Sequence, residues 1–424
     1  MNHLPGTTNS VMTLVDFFLA RQPILNRQQC IVAYELLFRN AAAGPANVVN
    51  DLAATASVIA HVSEIGMGKV IGCTRAFINV DATVLMSDIV KMLPQQQIVL
   101  ELLETVAATP QVLGCIRDLA AQGFVFALDD VVSDTTDIQQ FLPFVEIVKI
   151  DVLDMPLQQL AGLTSRYKRA NKKLLAEKVE TRELFQYCHA LGFDFFQGYY
   201  FAQPVILTGK KLAPSQLAVM QLIERIYADA DDAFILDSIK QDASLSLNLL
   251  RLVNTPAVGA SRRIDTLNQA LLLLGRRQLQ RWLQVSLYAN AEQTGNLASP
   301  LLMLASTRGK LLELMAAKLY PGQPHIADIG FTVGIMSLMD VLFGMPMAEI
   351  LQKATVNPAI GDALLLRKGV YGDMLKLAEH VERIDDAGAL LPPTLRKLQL
   401  SAADLCQLQI SAFAWSDGIT GAAP

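Results

Sequence analysis

The hydrophobic residues of this chain follow two different patterns in its two halves. As far as residue 204, short apolar runs rich in Val, Ile and Phe alternate with stretches of helical spacing. Short runs that stay apolar on both faces and alternate with helices are typical of buried parallel strands. The predicted strands are residues 31–34, 76–78, 98–100, 124–128, 145–148, 174–176 and 193–196. Seven or eight strand–helix units within about 190 residues favour a compact (β/α) barrel over an open sheet.

The second half of the chain has the period of helices. From residue 212 onward, apolar residues recur at spacings of three and four, and strand-like alternation is nearly absent. We predict helical segments at residues 215–228, 233–253, 264–289 and 300–319, with breaks at Thr255-Pro256, Gly275, Gly295 and Pro321-Gly322. The predicted organisation is a flexible leader (1–12), an α/β barrel (13–204), a linker (205–211) and an all-α domain (212–424).

The composition of the chain argues against several classes of protein. The 424 residues are 52% apolar and only 18% charged, with a net charge of −5, which argues against a disordered or nucleic-acid-coating chain. The most apolar long stretch, residues 331–351, is interrupted by Asp340, Pro346 and Glu349, so we predict no membrane span. The first ten residues lack the features of a secretory signal, and we expect a cytoplasmic protein.

Positive charge is concentrated in one part of the helical half. The arginines concerned are Arg251, Arg262, Arg263, Arg276, Arg277 and Arg281. A nucleic-acid surface is one interpretation, but no aromatic residues lie among them and the net charge is negative. We favour a solvated or ion-paired helix face.

Polar residues follow the predicted strands of the first half. They are Glu35, Asn79, Glu101, Asp129, Asp130, Lys149, Asp151, Glu177 and Gln197. In a (β/α) barrel the strand ends converge on one mouth, where a cluster of carboxylates requires a cation to neutralise it. Carboxylate and amide oxygens suit Mg²⁺ or Mn²⁺, and two such ions are a common means of cleaving a phosphodiester. Any one of these residues, taken alone, also fits a solvated loop acid or a helix cap.

Eight ordered segments of the first half resemble the EAL domain family. They are Arg21-Gln-Pro-Ile24, Tyr34-Glu-Leu-Leu-Phe-Arg39, Phe77-Ile-Asn79, Leu100-Glu-Leu-Leu-Glu104, Ala127-Leu-Asp-Asp130, Val148-Lys-Ile-Asp151, Ala176-Glu-Lys-Val-Glu-Thr181 and Gln197-Gly-Tyr199. The resemblance implies a modified, trimmed TIM barrel that binds cyclic di-GMP and, when active, hydrolyses it. It also implies roles for particular residues: Glu35, Asn79, Glu101, Asp129, Asp130 and Glu177 as metal ligands, Lys149 orienting the attacking water, and Gln22, Arg39 and Gln197 close to the dinucleotide.

The sequence departs from the EAL pattern at four places, of which the mildest is Leu36-Leu37 after Glu35, where the family has Ala-Leu. Leu103 stands where the family has threonine, and Lys178 stands where it has glycine. The glycine-rich loop that follows the paired aspartates in the family is replaced by residues 131–137, which contain no glycine. The side chains at the metal-ligand positions are retained, but the glycine-rich loop is lost. This combination predicts a weak or inactive enzyme that still binds cyclic di-GMP or a protein. The alternative is an active Mg²⁺- or Mn²⁺-dependent phosphodiesterase that gives the linear dinucleotide.

The second half resembles the HDOD domain, an all-helical relative of the HD phosphohydrolases. The segments concerned are Leu212-Ala-Pro-Ser-Gln-Leu-Ala218, Ser246-Leu-Asn-Leu-Leu-Arg-Leu-Val-Asn254 with Pro256, and Leu273-Leu-Gly275 with Trp282. Only His325 and His380 follow residue 204, too few histidines for an HD metal centre. We therefore predict a bacterial signalling adaptor whose HDOD domain relays to a protein partner, an arrangement compatible with a homodimer.

Overall fold

The structure is a computed structural model that describes residues 17–40, 67–202, 214–240, 243–254, 264–289, 300–353 and 356–419. The predicted leader (1–12) and linker (205–211) lie outside the described residues, as do the predicted breaks at Thr255-Pro256 and Gly295.

Eight strands close into a barrel in chain order. They are β1 (Phe17–Asn26), β2 (Ile31–Asn40), β3 (Arg75–Val80), β4 (Ile98–Leu102), β5 (Val125–Leu128), β6 (Ile147–Asp151), β7 (Lys173–Glu177) and β8 (Phe195–Phe196). The barrel predicted from the seven runs is confirmed.

The seven strands predicted as parallel, β2 to β8, are parallel to one another, but the sequence did not predict β1. This strand runs antiparallel to both β2 and β8. A tight turn joins it to β2, in which the backbone N–H of Cys30 and that of Gln28 both donate to the side-chain oxygen of Asn26. Only an antiparallel pair can be joined by so short a connection, because a parallel pair needs a crossover.

Short helices connect the strands of the barrel. They are α1 (Met67–Ile71), α2 (Ala82–Leu85), α3 (Pro110–Ala121), α4 (Thr136–Phe141), α5 (Leu157–Arg169) and α6 (Arg182–Leu191). Threonines start three of them: the hydroxyls of Thr109, Thr135 and Thr181 each accept a hydrogen bond from the backbone N–H three residues later. Such caps satisfy donors that the first helical turn leaves unpaired, which fixes where each helix begins.

The described residues of the second half contain helices and no strands, as predicted. The α-helices are α7 (Pro214–Tyr227), α8 (Asp232–Lys240), α9 (Ala243–Val253), α10 (Leu267–Ala289), α11 (Pro300–Leu319), α12 (Pro324–Met336), α13 (Met339–Phe343), α14 (Met347–Lys353), α15 (Pro358–Leu366), α16 (Gly369–Glu382), α17 (Ile384–Ala387), α18 (Leu391–Leu398) and α19 (Ala402–Ile419). The segment predicted as one helix at 233–253 is two, α8 and α9, and the predicted break at Gly275 is a kink within α10, at φ 70° and ψ 164°. Within the described part of the chain, no helix is both long and apolar enough to span a bilayer.

The last helix lies on the barrel rather than within the helical half alone. Cys406, Ile410 and Phe413 of α19 belong to the hydrophobic core of the barrel. Conversely, Phe18 and Ala20 of β1 are buried in the core of the helical half. The two cores therefore interlock at β1.

A buried ion pair fixes this contact. The guanidinium of Arg21 on β1 donates to both carboxylate oxygens of Asp417 at 3.0 Å, and it lies between the rings of Tyr34 and Phe413. The two charged side chains are only 3% and 7% exposed. Since a buried charge is costly without its partner, this pair requires the barrel and α19 to stay together.

Helices α11 and α12 pack so closely that glycine is required between them. A Cβ atom on Gly334 would lie 2.5 Å from the backbone oxygen of Arg308 and from the backbone nitrogen of Gly309. Both are main-chain atoms of α11, so a side chain at this position forces the two helices apart.

We expect Gly334→Ala to lower the free energy of unfolding of the helical half by about 1–3 kcal/mol, because of this overpacking. Gly361→Ala is the matched control, since Gly361 also lies within a helix but has open space around its Cβ position. The control is expected to be neutral or to stabilise by about 0.5–1 kcal/mol through helix propensity. Urea denaturation of both variants makes the comparison, and equal stability of the two would contradict the close packing.

Candidate functional site

The barrel interior is built in layers. One layer is apolar and consists of Ile24, Ala33, Phe77, Val99, Ala127, Ile147 and Leu175. Side chains on a strand point to the same face every second residue, so the positions two residues further toward the mouth form the next layer. That layer is polar: Gln22, Glu35, Asn79, Glu101, Asp129, Lys149 and Glu177. Each of these residues lies one layer above an apolar position. On β3 to β7 they lie close to the carboxyl ends of the strands, as predicted, whereas Gln22 lies in the middle of β1 and Glu35 in the middle of β2, which is longer than the sequence pattern indicated.

Lys149 is the centre of this polar layer. Its ammonium nitrogen lies 2.6 Å from carboxylate oxygens of Glu101 and Asp129, 2.8 Å from Glu177 and 3.5 Å from Glu35. The side chains of Lys149 and Glu101 are completely buried, and the other three are less than a tenth exposed. One buried cation therefore faces four carboxylates.

Amide side chains complete the hydrogen bonding of Glu35. Asn79 donates to one carboxylate oxygen at 3.2 Å, and Gln197 donates to the other at 2.5 Å. The same Gln197 amide donates to Gln22 at 2.8 Å. Strand register explains the arrangement, because Gln22 is paired with Glu35 across β1 and β2.

The close packing of these charges changes their pKa values. Burial, together with the neighbouring carboxylate of Glu35, raises the pKa of Glu101 well above its ordinary value. Burial also raises the pKa of Glu177 to about 8. For Glu35, burial is outweighed by the Lys149 ammonium and the amides of Gln197 and Asn79, which together lower the pKa. Burial likewise opposes the charge on Lys149, but the surrounding carboxylates raise its pKa well above normal.

Asp130 stands apart from the cluster, at the rim. Its carboxylate lies 3.5 Å from the ammonium nitrogen of Lys178, which also pairs with Asp151 at 2.6 Å. Lys178 has a φ of +54°, in the left-handed region that favours glycine. Lys178 therefore puts a second ammonium group among the acids, at a backbone position whose φ would suit glycine.

A cavity of about 710 Å³ opens above the polar layer, which is within the roughly 300–1,000 Å³ of small-molecule sites. Seven carboxylate side chains contribute to its lining: Glu35, Asp81, Glu104, Asp129, Asp130, Glu177 and Glu180. Lys178 and Arg383 are the cationic side chains among the described residues that line it. An anionic ligand in this cavity would require additional positive charge.

The donor set fits a hard divalent cation. One side-chain oxygen each of Asn79, Glu177 and Gln197 is buried without a hydrogen-bond partner. Among the described residues, however, no three His, Cys, Asp or Glu side chains are already arranged to hold a metal. The reason is Lys149, whose ammonium group lies between the carboxylates, so a metal would have to share or take that place.

The structure brings most of the predicted site residues together, and it adds two residues that the sequence did not indicate. Tyr199 and Arg383 both line the cavity, and Arg383 comes from the helical half. The Tyr199 hydroxyl donates to the backbone carbonyl of Glu382, and the Arg383 guanidinium lies 5.2 Å from the centre of the Tyr199 ring. No short-range pattern could have found Arg383, which is far from the barrel in sequence. The side chain of the predicted ligand residue Arg39 lies outside the described residues.

Arginines of α10 are ion-paired, as favoured from the sequence. Arg276 pairs with Asp229 and Asp232, whereas Arg277 and Arg281 both pair with Glu313 and Asp328. The side chain of Arg251, and residues 262 and 263, lie outside the described part of the chain. Paired arginines are poorly available to phosphates, which argues against a nucleic-acid surface here.

Comparison with known sequences agrees with this architecture. Models of the EAL domain and the HDOD domain match residues 12–204 and 211–303. The chain is 31% identical over 416 residues to cyclic di-GMP phosphodiesterase CdgJ of Vibrio cholerae, covering 96% of this chain and 94% of that protein. The chain belongs to the EAL–HDOD family. The uncharacterised protein YuxH of Bacillus subtilis is 30% identical over 372 residues, 86% of this chain and 90% of that protein.

Two solved structures with cyclic di-GMP bound are each similar to less than half of this chain. A standalone EAL protein from Vibrio cholerae O395 with cyclic di-GMP bound is 24% identical, with a TM-score of 0.35 over 45% of this chain and 92% of that one. Klebsiella pneumoniae BlrP1, in a manganese and cyclic di-GMP complex, is 21% identical, with a TM-score of 0.37 over 47% of this chain and 56% of that one.

We expect Lys149→Met to destabilise the EAL domain by about 3–5 kcal/mol at neutral pH, because it leaves four buried carboxylates without their cation. Added Mn²⁺ should recover part of the loss in thermal denaturation, since the carboxylates can then bind the metal instead. Lys173→Met is the control, because Lys173 is exposed at the start of β7. A Lys149→Met protein as stable as this control would show that Lys149 is not the required counter-charge.

Proposed function

We propose that this protein is a cyclic di-GMP sensor, in which the EAL domain binds the dinucleotide with slow or absent hydrolysis and the HDOD domain relays binding to a protein partner. The observation that carries the proposal is how the acidic side chains of the polar layer are already paired. The carboxylates are retained around a cavity, but the ammonium groups of Lys149 and Lys178 already pair with several of them. Ammonium groups that lie among the acids hinder the assembly of two metal ions for catalysis, while they offset part of the negative charge that an anionic ligand would meet.

Mg²⁺ or Mn²⁺ is the proposed cofactor, and the donor chemistry of the site supports it. The proposed ligands are Glu35, Asn79, Glu101, Asp129, Asp130 and Glu177. When bound, a divalent ion supplies positive charge opposite the phosphates of the ligand. Gln22, Arg39 and Gln197 are proposed to contact the dinucleotide, and the amide of Gln197 orients Glu35 by its 2.5 Å hydrogen bond.

The loop after the paired aspartates supports weak catalysis. Val131 is buried at 2% exposure, whereas Val132 is 52% exposed. The Gln159 side chain donates to the backbone carbonyl of Val132 at 2.8 Å, which fixes the loop from outside. A β-branched residue at each of these positions restricts the backbone, so the loop lacks the freedom that two glycines would give it.

The relay requires that ligand binding favour one arrangement of the two domains over another. The contacts between the EAL cavity and α16 of the HDOD domain, through Tyr199 and Glu382, give a physical route. Exposed apolar side chains on the HDOD domain, Phe234 at 48% and Leu272 at 76% exposure, are available to a protein partner.

A working phosphodiesterase is the second candidate. It is favoured by the complete polar layer and by the 31% identity to a relative named as a cyclic di-GMP phosphodiesterase. In this case Lys149 would orient the attacking water, and Glu35 would be required for turnover.

Calorimetric titration of the full chain with cyclic di-GMP and Mn²⁺ tests the proposal, with chromatography of the nucleotide afterwards. We expect saturable binding, intact ligand, and affinity weakened about tenfold or more by Glu35→Ala, which removes a metal ligand. Glu183→Ala is the control, because Glu183 is an exposed acid in the first turn of α6. Absence of heat with the wild-type chain would overturn the sensor. Linear dinucleotide formed by the wild type and lost in Glu35→Ala would establish the phosphodiesterase.

Lys178→Gly tests whether this lysine excludes a second cation. The glycine suits the positive φ, so the backbone is expected to remain in place while Asp130 loses its ammonium partner. We expect the variant to bind a further Mn²⁺ ion, counted from free Mn²⁺ by electron paramagnetic resonance. Asn171→Gly is the control, since Asn171 also has a positive φ but does not line the cavity. An unchanged Mn²⁺ count in Lys178→Gly would show that Lys178 does not block a site.

A further inference from the structure

The HDOD domain contributes a cationic side chain to the EAL cavity. Arg383 directly follows α16 and precedes α17, and its side chain is exposed where it lines the cavity. Its guanidinium carbon lies 5.2 Å from the centre of the Tyr199 ring, which belongs to the EAL domain. A cation held against an aromatic face in this way keeps a preferred orientation.

The backbone beside Arg383 is fixed on both sides of the domain boundary. On the HDOD side, Arg308 binds both carboxylate oxygens of Glu382, at 2.7 and 2.6 Å, and donates to Ser337 at 3.0 Å. On the EAL side, the Tyr199 hydroxyl donates to the Glu382 carbonyl. The Arg308 and Glu382 side chains are only 8% and 16% exposed, so this connection is largely shielded from water.

Tyr199 is in turn fixed to the polar layer. It lies two residues after Gln197, and Gly198 between them has a φ of +140°. A Cβ atom on Gly198 would lie 2.3 Å from the backbone oxygen of Val179, so glycine allows this segment to lie against the turn that follows Glu177. Arg383 is therefore placed over the cavity by a continuous set of contacts.

Charge indicates what Arg383 binds. The cavity lining is strongly acidic, and of its two described cations Lys178 is already paired with Asp151 at 2.6 Å. A guanidinium presents several N–H donors in a planar fork that matches phosphate oxygens. An arginine at the rim of an acidic cavity suits a ligand whose phosphates lie on the outer side.

We propose that Arg383 of the HDOD domain binds a phosphate group of the nucleotide held in the EAL cavity, so that the ligand site is completed by the second domain. This inference rests on the proposed function, because the ligand is taken to be a cyclic dinucleotide. This contact would make binding depend on how the two domains are arranged. A ligand that bridges the barrel and Arg383 stabilises the arrangement in which α16 lies against Tyr199.

The test measures binding of cyclic di-GMP to the full chain by calorimetry in the presence of Mn²⁺. We expect Arg383→Ala to raise the dissociation constant by about tenfold to a hundredfold, as the loss of a charge-assisted hydrogen bond does. The dependence of affinity on salt concentration should also weaken in this variant. Arg383→Lys keeps the positive charge but loses the planar fork of N–H donors, so its dissociation constant should lie between those of the wild type and Arg383→Ala.

Arg396→Ala is the matched control, because Arg396 is an exposed arginine of the same domain that does not line the cavity. Thermal midpoints of both variants should equal that of the wild type, which separates loss of contact from unfolding. A dissociation constant unchanged in Arg383→Ala, or raised equally in Arg396→Ala, overturns the inference and leaves the proposed function in place. Absence of binding by the wild type overturns the proposed function itself.

Discussion

A single buried ammonium group makes the barrel of this protein possible. The polar layer at the mouth holds Glu35, Glu101, Asp129 and Glu177 in a space from which water is largely excluded, so charged carboxylates there need a nearby cation. Lys149 provides that cation from within the fold. The acids proposed as metal ligands are thus stabilised by a side chain of the protein itself, and a metal ion would have to compete with that side chain.

Much of the barrel could be predicted because burial on both faces of a strand leaves short, uniformly apolar runs in the sequence. β1 could not, since its apolar positions are interrupted by Arg21, Gln22 and Pro23. The reason is that this strand faces two different environments. Gln22 points toward the polar layer, whereas Arg21 is buried against α19 and pairs with Asp417. A strand whose polar residues are buried against distant partners has the same local sequence pattern as a loop.

The candidate site, like the barrel, could be predicted from the sequence only in part. Its residues could be identified because each follows an apolar run, and the resemblance to EAL domains gave them roles. Their grouping around Lys149 depends on strand register, which residue spacing along one strand does not determine. Arg383 depends on how the second domain packs, and the contact between Tyr199 and Glu382 joins residues 183 positions apart. Such contacts leave no local pattern in the sequence.

The placement of α19 affects the order in which the molecule is made. Its Asp417 binds Arg21, 396 residues earlier in the chain, so this ion pair can form only long after β1 has been synthesised. At about 5–20 residues per second, the roughly 200 residues between the barrel and this helix take on the order of 10–40 s to synthesise. During that time Arg21 lacks its carboxylate partner. The contact that holds the barrel against α19 is therefore completed late in synthesis, after all eight strands of the barrel have been made.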